Sequence, residues 1–479
     1  MHISEPLGSA GDASVHSPMT RARVTRSALP ILGLDVGSTL IKAVVFDRRG
    51  RVLAAASRSV PVRRPQRGWV ERDAEATWRA AAAAVRQVAS GKSVAAVGLT
   101  GCGNGAVFVD AALNPLCPGI LSSDARAARW IRQEQTAGQL AYAGQAGPLL
   151  GWFRAERPAE ARRLAHVLLW KDFIRARLTG VVATEPTDAG AAGWLVPGSR
   201  RMRGGDPALP PIRESLASGG EVTAAAERRT GLRVGTPVFM GCIDCEATAL
   251  GSGVANVGDL SLVAGTWSIS QRFLDRRSRR GDLFLVNPSV QPGRWLALEG
   301  SPSSAANLDW VVRLLGFRDV AGALRCAESA TRTGLLFVPR VPTGGGAFAG
   351  LDASHGRGDV VRAVVEGVAF AHRAHVEKLL GRSVASQRIR LTGGLARSTF
   401  VSQSFADVLG CPVEIPEGGE LGALGAALCA GVGFGAWPTL REAQRATVRM
   451  VATFRPDSRR RSELEGDYLR FRAFAATLA

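Results

Sequence analysis

The pattern of apolar and polar residues near the start of the chain predicts two β-strands joined by a tight turn. An apolar run ends in Asp35, a Gly-Ser-Thr turn follows at 37–39, and a second apolar run begins at Leu40. The turn brings together backbone N–H groups, hydroxyls and Lys42, which can bind phosphate oxygens, and Asp35 is placed to face a metal ion. Taken alone, the segment is interpreted equally well as an ordinary hairpin with a polar tip, because the motif is short.

Beyond this hairpin, apolar spacing predicts strands that alternate with helices. The predicted helices cover 71–89, 159–178 and 359–380, and Asp73 is a favourable N-cap for the first of them. A buried strand over 93–100 runs into a glycine-rich turn. This alternation is typical of an α/β fold in which helices pack on a parallel or mixed sheet.

The second half of the chain repeats the opening pattern. In the segment 259–270 a Gly-Thr turn, formed by Gly265 and Thr266, again separates two apolar strands. Before it, a strand ends in Asp244, and after it a Thr-Gly-Gly turn at 392–394 precedes a helix whose free N–H groups can meet an anion. Each piece alone favours a plain structural interpretation, but together they predict a phosphate site divided between two halves of the chain.

Composition limits the class of protein. With 479 residues, 46% of them hydrophobic and 21% charged, the chain is long enough for two globular domains. Its formal net charge of +19 makes a nucleic-acid partner worth considering. The basic residues are nearly all arginine and are spread along the whole chain, so they indicate no nucleic-acid site.

The seven scattered cysteines indicate reduced thiols and a cytoplasmic protein. Cys242 and Cys245 form a C-x-x-C pair and His372 and His375 lie three residues apart, but neither pair has the further ligands that a zinc site needs. No apolar run approaches the ~20 residues that span a bilayer, so no membrane segment is expected.

Taken together, these motifs resemble those of the FGGY family of carbohydrate kinases, members of the actin-like ATPase superfamily. Asp35-Val36-Gly37-Ser38-Thr39 with Lys42 is similar to the family's first phosphate motif, Ala264-Gly265-Thr266 to the second, and Leu391-Thr392-Gly393-Gly394 with Ser398 to the adenosine-side motif. The resemblance implies an α/β fold of two ribonuclease-H-like domains with a cleft between them. It implies ATP and Mg²⁺ as cofactors and a small sugar as the partner.

The resemblance also implies a role for each matched residue. Asp244 matches the general base, which takes the proton of a sugar hydroxyl, and Asp35 matches the residue that positions Mg²⁺; we expect both carboxylates on the metal side of the reaction. The expected nucleotide-binding residues are Gly37, Ser38, Thr39, Lys42, Gly265, Thr266, Gly393, Gly394 and Ser398. The expected sugar-binding residues are Asn104, Asp124, Arg126 and Asp244.

On the sugar side the chain looks most like L-xylulose kinases, in the segments 68–73, 119–126 and 299–310. The residues that glycerol kinases and D-xylulose kinases carry at 103–104 are replaced by glycine and asparagine. We therefore expect phosphorylation of a ketopentose such as L-xylulose. Alternatives that stay open are another ketose or polyol (a ketohexose derivative, erythritol or D-xylulose), a weakly active sugar-binding regulator and an actin-like or Hsp70-like ATPase.

These considerations divide the chain into four expected parts. Residues 1–29 form a disordered tail, 30–250 an N-terminal domain on the sugar side, 251–450 a C-terminal domain on the ATP side, and 451–479 a helical tail. The segments 142–150 and 198–210 are shorter than in similar kinases and lie where the family closes over its sugar. A homodimer is left open.

Overall fold

The computed structural model describes residues 29–131, 142–254, 256–265, 267–278, 280–301, 304–330, 334–341, 344–381, 384 and 387–478. The expected tail 1–29 lies almost wholly outside these residues, as does Thr266. The elements of the first half are β1 (Ile31–Val36), β2 (Leu40–Phe46), β3 (Val52–Ser59), β4 (Val62–Arg63), β5 (Glu71–Arg72), α1 (Ala74–Ala89), β6 (Ala96–Gly101), β7 (Val107–Val109), β8 (Gly119–Ile120), α2 (Ala146–Glu156), α3 (Pro158–Ala161), β9 (His166–Leu168), α4 (Trp170–Thr179), α5 (Pro186–Ala191), β10 (Ser218–Glu221), α6 (Ala224–Thr230), β11 (Pro237–Ile243) and α7 (Asp244–Gly251).

The second half follows the same alternation. Its elements are β12 (Leu260–Ala264), β13 (Ser268–Leu274), β14 (Leu285–Pro288), β15 (Trp295–Ser301), α8 (Ala305–Leu314), α9 (Val320–Ser329), β16 (Leu336–Val338), β17 (Ala347–Ala349), α10 (Arg357–Leu380), β18 (Ile389–Thr392), α11 (Thr399–Leu409), β19 (Val413–Pro416), α12 (Leu421–Gly433), α13 (Leu440–Thr447), β20 (Met450–Phe454) and α14 (Ser458–Thr477).

The first sheet has six strands in the order β10-β11-β6-β1-β2-β3. β1 pairs antiparallel with β2, and β6 pairs parallel with both β1 and β11. Parallel strands end at the same edge of a sheet, where α/β proteins place their ligands. This edge therefore brings together Asp35 from β1, the turn after β6, and Asp244 after β11.

The second sheet has seven strands in the order β14-β15-β13-β12-β18-β19-β20. β12 pairs antiparallel with β13 and parallel with β18, so the Gly265 turn and the 393–394 turn meet at one edge. Gly393 has a φ of +94°, and a Cβ there would lie 2.5 Å from the Ala264 carbonyl oxygen. The contact requires glycine for both reasons, its left-handed backbone and the close approach.

Helix α12 joins the two halves. A Cβ added to Gly33 of β1 or Gly98 of β6 would lie 1.9 Å from a carbonyl oxygen of α12, so these glycines let the helix approach the first sheet. The apolar side chains of α12 share a core cluster with Ile31 and Val44 of that sheet. The predicted domain boundaries at 250 and 450 stay predictions. Helix α12 belongs to the predicted C-terminal domain but packs on the first sheet, and β20 belongs to the predicted tail but pairs with β19 in the second sheet.

Helix α1 begins as predicted, because the Asp73 side chain accepts a hydrogen bond from Ala76 N at 2.8 Å. The helix predicted over 159–178 is wrong. It divides into α3 and α4, separated by β9, which pairs antiparallel with β7. The reason is the pairing itself. A short apolar run such as 166–168 is compatible with a strand or with the interior of a helix, and here the partner strand β7 makes it a strand.

Candidate active site

Asp35 and Asp244 are the two carboxylates at the C-terminal edge of the first sheet. Burial, and secondarily the charge of Asp244, raises the pKa of Asp35 to about 7. Burial also raises the pKa of Asp244 to about 6, although N–H groups of Cys245 and Gly103 donate to it and oppose the shift. The Cys245 N–H lies 2.7 Å from Asp244 Oδ1. Near neutral pH, Asp244 is therefore largely ionised and close to its pKa, as a general base should be.

Asp35 suits the cation side of a phosphoryl-transfer site. Its Oδ1 is buried and has no hydrogen-bond partner within the described residues, which is costly for a carboxylate that no cation balances. No cluster of three or more His, Cys, Asp or Glu side chains suited to a metal exists among the residues that the model covers. A Mg²⁺ at Asp35 would therefore take most of its ligands from phosphate oxygens and water, as this ion commonly does.

Lys42 lies beside Asp35 in the register of the first hairpin. Its ammonium group forms an ion pair with Glu420, at 2.9 Å between Nζ and Oε2. Glu420 directly precedes α12, so the contact crosses from the second half of the chain to the first phosphate motif. Sequence reasoning missed Glu420, because it belongs to none of the matched motifs.

A cavity of about 670 Å³ lies between the two sheets. Asp35, Lys42, Gly393 and Gly394 line its polar side, and its apolar wall includes residues of β19 and β20. The turn 37–39, in which Ser38 and Thr39 are exposed, follows Asp35 closely in the chain. Of the predicted nucleotide residues, Lys42, Gly393 and Gly394 line this cavity, and a nucleotide contact of the others stays a prediction.

Ser398 does not share the position of Gly393 and Gly394 on the cavity wall. Its hydroxyl is the N-cap of α11, accepting from Val401 N at 3.4 Å, and it does not line the cavity. Its neighbours Arg397 and Thr399 do. A nucleotide contact of Ser398 stays a prediction.

Asn104 directly follows Gly103, whose N–H donates to Asp244. Its φ is +64°, in the left-handed region that asparagine tolerates better than most residues. The side chain is buried and its Oδ1 lacks a partner in the described part of the chain, while the side chain hydrogen bonds with Tyr142. The Tyr142 ring stacks on Phe284 of the second half, with centroids 6.5 Å apart.

Sequence reasoning missed Tyr142 and Phe284. The one available signal was rarity, because the chain has two tyrosines and one of them lies in the segment singled out as abbreviated. Burial raises the pKa of the Tyr142 hydroxyl well above its usual range, so it stays protonated and able to donate. The aromatic pair joins the two halves beside Asn104.

Asp124 and Arg126 are already engaged with each other. Asp124 Oδ2 accepts from Val70 N at 2.6 Å and Oδ1 from Arg126 N at 2.8 Å, and the Arg126 guanidinium pairs with both oxygens. Arg126 also pairs with Glu71 at 2.8 Å and lies 3.7 Å over the Trp69 ring. These contacts fix the 69–71 segment. Direct sugar contacts of Asp124 and Arg126 stay predictions, and the geometry favours a positioning role.

A buried cluster of charges supports the strand that ends in Asp244. Lys171 pairs with Asp172 and Asp188, each at 3.0 Å, and with Glu185 at 3.5 Å, and all four side chains are at most 1% exposed. The cluster holds α5, where the Thr187 hydroxyl accepts from Ile243 N at 2.9 Å. Sequence analysis assigned no role to these residues.

The cysteines of the C-x-x-C pair are free thiols, and His372 of the histidine pair is hydrogen bonded within the core. All seven cysteines lie within the described residues and are free thiols. His372 is buried on α10, and its ring nitrogens hydrogen bond with Ser268 and Ser270 of β13 at 2.8 and 3.0 Å. Burial lowers the pKa of His372 well below its usual range, so the ring is neutral.

Comparison with known proteins identifies the family. The model of the N-terminal domain of the FGGY family of carbohydrate kinases matches residues 30–201, and that of its C-terminal domain matches residues 260–434. This chain belongs to the FGGY family of carbohydrate kinases. The match confirms the predicted family and the kinase activity class.

Two curated relatives are named as L-xylulose kinases. The chain is 31% identical to an L-xylulose/3-keto-L-gulonate kinase of Escherichia coli (strain K12), over 93% of this chain and 97% of the relative. It is also 31% identical to a probable L-xylulose kinase of Pasteurella multocida (strain Pm70), over 83% and 89%.

A solved structure has the same architecture. The crystal structure of xylulose kinase from Rhodospirillum rubrum superposes with a TM-score of 0.85 at 27% identity, covering 94% of this chain and 99% of that one. It confirms the predicted two-domain fold. Among the described residues, no helix has the length and apolar character to cross a bilayer.

Proposed function

We propose that this FGGY carbohydrate kinase transfers the γ-phosphoryl group of ATP to a hydroxyl of a ketopentose, with L-xylulose as the first candidate. The observation that carries the proposal is the placement of Asp244, a partly buried carboxylate with a pKa of about 6 at the cleft edge of the first sheet. The name of the E. coli relative supports the choice of sugar, and its second substrate, 3-keto-L-gulonate, is the second candidate.

The proposed chemistry is a direct transfer. The sugar hydroxyl oxygen forms a bond to the γ-phosphorus while the bond from that phosphorus to the β,γ-bridging oxygen breaks, and Asp244 takes the hydroxyl proton. ADP leaves with the bridging oxygen. Bound Mg²⁺ would neutralise charge on the β- and γ-phosphates. Asp35 suits its side of the cleft, because the unpartnered Oδ1 is an acceptor without a proton donor.

The nucleotide is proposed to lie in the cavity between the sheets. Lys42 and the 37–39 turn would hold phosphate oxygens from one side, and Gly393 and Gly394 would approach the nucleotide from the other. Phosphate binding would draw Lys42 away from Glu420, since one ammonium group cannot stay fully paired with both. The apolar wall from β19 and β20 suits an adenine ring.

Asn104 and Tyr142 are proposed to recognise sugar hydroxyls. The unpartnered Asn104 Oδ1 can accept from one hydroxyl, and the Tyr142 hydroxyl can donate to another. We also propose a cytoplasmic location, which the seven free thiols support.

A coupled assay of ADP release tests the proposal. Ketopentoses, ketohexoses, 3-keto-L-gulonate and polyols are compared with and without Mg²⁺, and L-xylulose is expected to give the highest kcat/KM. A higher value for another sugar would overturn the choice of substrate and leave the phosphoryl transfer standing. ADP release that is independent of every sugar would overturn the transfer itself and favour an ATPase.

A further inference from the structure

Arg72 is a buried arginine next to the first phosphate turn. It lies on β5, is 1% exposed, and its Nη1 donates to the Gly37 carbonyl oxygen at 2.8 Å and to the Ser38 carbonyl oxygen at 3.3 Å. Its guanidinium lies 4.2 Å over the ring of Trp170, whose indole N–H is held by the Ile120 carbonyl. The side chain is therefore fixed in one orientation.

The two carbonyl contacts fix the direction of two amide groups. In a trans peptide the C=O and the following N–H point in opposite directions. The Gly37 carbonyl points at Arg72, so the Ser38 N–H points away from Arg72. The Ser38 carbonyl also points at Arg72, so the Thr39 N–H points away from it as well. Within the described residues neither N–H donates to a protein acceptor, and both residues are exposed. Both amides are free for a ligand on the outer side of the turn.

Arg72 also carries a charge that no carboxylate balances. No acidic side chain in the described part of the chain lies within ion-pair distance of it, and its Nε and Nη2 have no hydrogen-bond partner. A buried, unpaired guanidinium is costly. An anion on the outer side of the turn would reduce that cost, because its charge would be close and only partly screened.

We infer that Arg72 is a positioning residue for the triphosphate: it directs the Ser38 and Thr39 N–H groups toward the phosphate oxygens and places a positive charge behind them. This inference rests on the proposed function and concerns the same cleft. Arg72 itself stays behind the turn and makes no contact with the nucleotide.

The neighbouring residue in β5 has a separate role. Successive side chains of a strand point to opposite faces. Glu71 pairs with Arg126 on the sugar side, while Arg72 reaches the phosphate turn. Loss of Arg72 should therefore affect phosphate binding and leave the sugar-side contacts in place.

Calorimetric titration tests the inference without requiring turnover. Arg72→Met is compared with the unmodified protein for binding of the magnesium complex of β,γ-imido-ATP and, separately, of adenosine. We expect Kd for the triphosphate analogue to rise about tenfold or more, since two charge-assisted hydrogen bonds lose their geometry. Kd for adenosine should stay within twofold, because adenosine lacks the group that meets the turn.

Two further variants complete the design. Arg72→Lys keeps the charge but offers a single ammonium group to the two carbonyls. Its Kd for the analogue should therefore lie between that of the unmodified protein and that of Arg72→Met. Arg177→Met is the matched control. That arginine also stacks on aromatic rings in the same domain, at 5.6 Å from Trp78 and 5.7 Å from Phe173, but does not contact the turn.

Each outcome is decisive. If the unmodified protein binds no triphosphate analogue, the proposed function fails, and this inference with it, before any variant is compared. If it binds and Arg72→Met binds equally well, or loses adenosine and the analogue in proportion, the inference alone is overturned. If Arg72→Met does not fold, Arg72→Lys carries the test, and an unchanged Kd for the analogue in that variant would overturn the inference.

Discussion

Lys42 Nζ lies 2.9 Å from Glu420 Oε2, so the lysine of the first phosphate motif is paired with a carboxylate from the other half of the chain. Both side chains are about one-third exposed, at 29% and 33%. Ion pairs with this exposure contribute about 0–1 kcal/mol. The contact is thus weak enough for a phosphate group to replace it.

Replacing Glu420 should make Lys42 more available to phosphate. We predict that Glu420→Gln lowers KM for ATP by a factor of up to about five. This factor corresponds to the free energy of about 1 kcal/mol that an exposed ion pair contributes at most. Steady-state kinetics at saturating sugar check this. Glu442→Gln, on the exposed face of α13, serves as the control. A higher KM for ATP in Glu420→Gln would mean that the carboxylate supports nucleotide binding.

The Asp244 carboxylate should be needed for transfer and not for nucleotide binding. We predict that Asp244→Asn lowers kcat by about 10²-fold or more, because the amide cannot take the hydroxyl proton. Binding of β,γ-imido-ATP should be unchanged. Asp110→Asn, in a surface loop, should keep full activity. Near-normal kcat in Asp244→Asn would exclude this residue as the base.

The pH dependence of activity should follow the same carboxylate. Because the pKa of Asp244 is about 6, the base is ionised above that pH and protonated below it. We predict that kcat/KM for the sugar falls as pH drops below about 6, and that Asp244→Asn loses this acid limb. A pH profile from 5 to 8 at saturating ATP and Mg²⁺ measures it. A flat profile down to pH 5 would contradict the assignment.

The ionised Asp35 carboxylate should lower the free energy of unfolding of the ligand-free protein above neutral pH. Its pKa is about 7 in the folded chain and 3.8 when unperturbed, so between these values the folded state holds a proton that the unfolded state releases. Stability therefore falls as pH rises from about 4 to 7. We predict that Asp35→Asn raises Tm by a few degrees at pH 8 and changes it little at pH 4.

Thermal unfolding without nucleotide or Mg²⁺ checks the Asp35 prediction. Added Mg²⁺ with ATP should reverse the order at pH 8, because ligands that bind only the folded state stabilise it, and the variant lacks the carboxylate that we place beside the cation. Equal Tm values at pH 8 without ligands would contradict the pKa shift.

The sugar side can be separated from the nucleotide side by two small changes. Tyr142→Phe removes one hydroxyl, and Asn104→Gly removes the amide while tolerating the φ of +64°. We predict that each raises KM for the sugar about three- to tenfold, the cost of one lost hydrogen bond, with KM for ATP unchanged. A parallel rise in KM for ATP would place these residues outside the sugar site.

Local patterns were enough to predict much of the fold. The two hairpins, the helix over 359–380 and the N-cap at Asp73 each depend on neighbouring residues whose spacing matches one element. The strand 166–168 was missed because a short apolar run does not distinguish a strand from the interior of a helix. Only the pairing of this segment with β7 makes it a strand and not part of a helix.

The site was predictable where a motif is contiguous. Asp35, Lys42, Gly393 and Gly394 lie in such motifs and line one cavity. The pairs Tyr142–Phe284 and Lys42–Glu420 each join positions more than a hundred residues apart, and no local spacing links them. The sugar contact expected of Asp124 stays a prediction, and no local spacing could show that Val70 N and Arg126 donate to this carboxylate.

The seam between α12 and the first sheet has a consequence for how the chain is made. Gly33 and Gly98 are shaped to receive the backbone of residues 423–426, which leave the ribosome more than three hundred residues later. The nascent N-terminal half must therefore wait, with part of its hydrophobic core uncovered, until nearly the whole polypeptide exists. Synthesis and maturation of this kinase are linked by that delay, and chaperones that shield apolar surface would act during it.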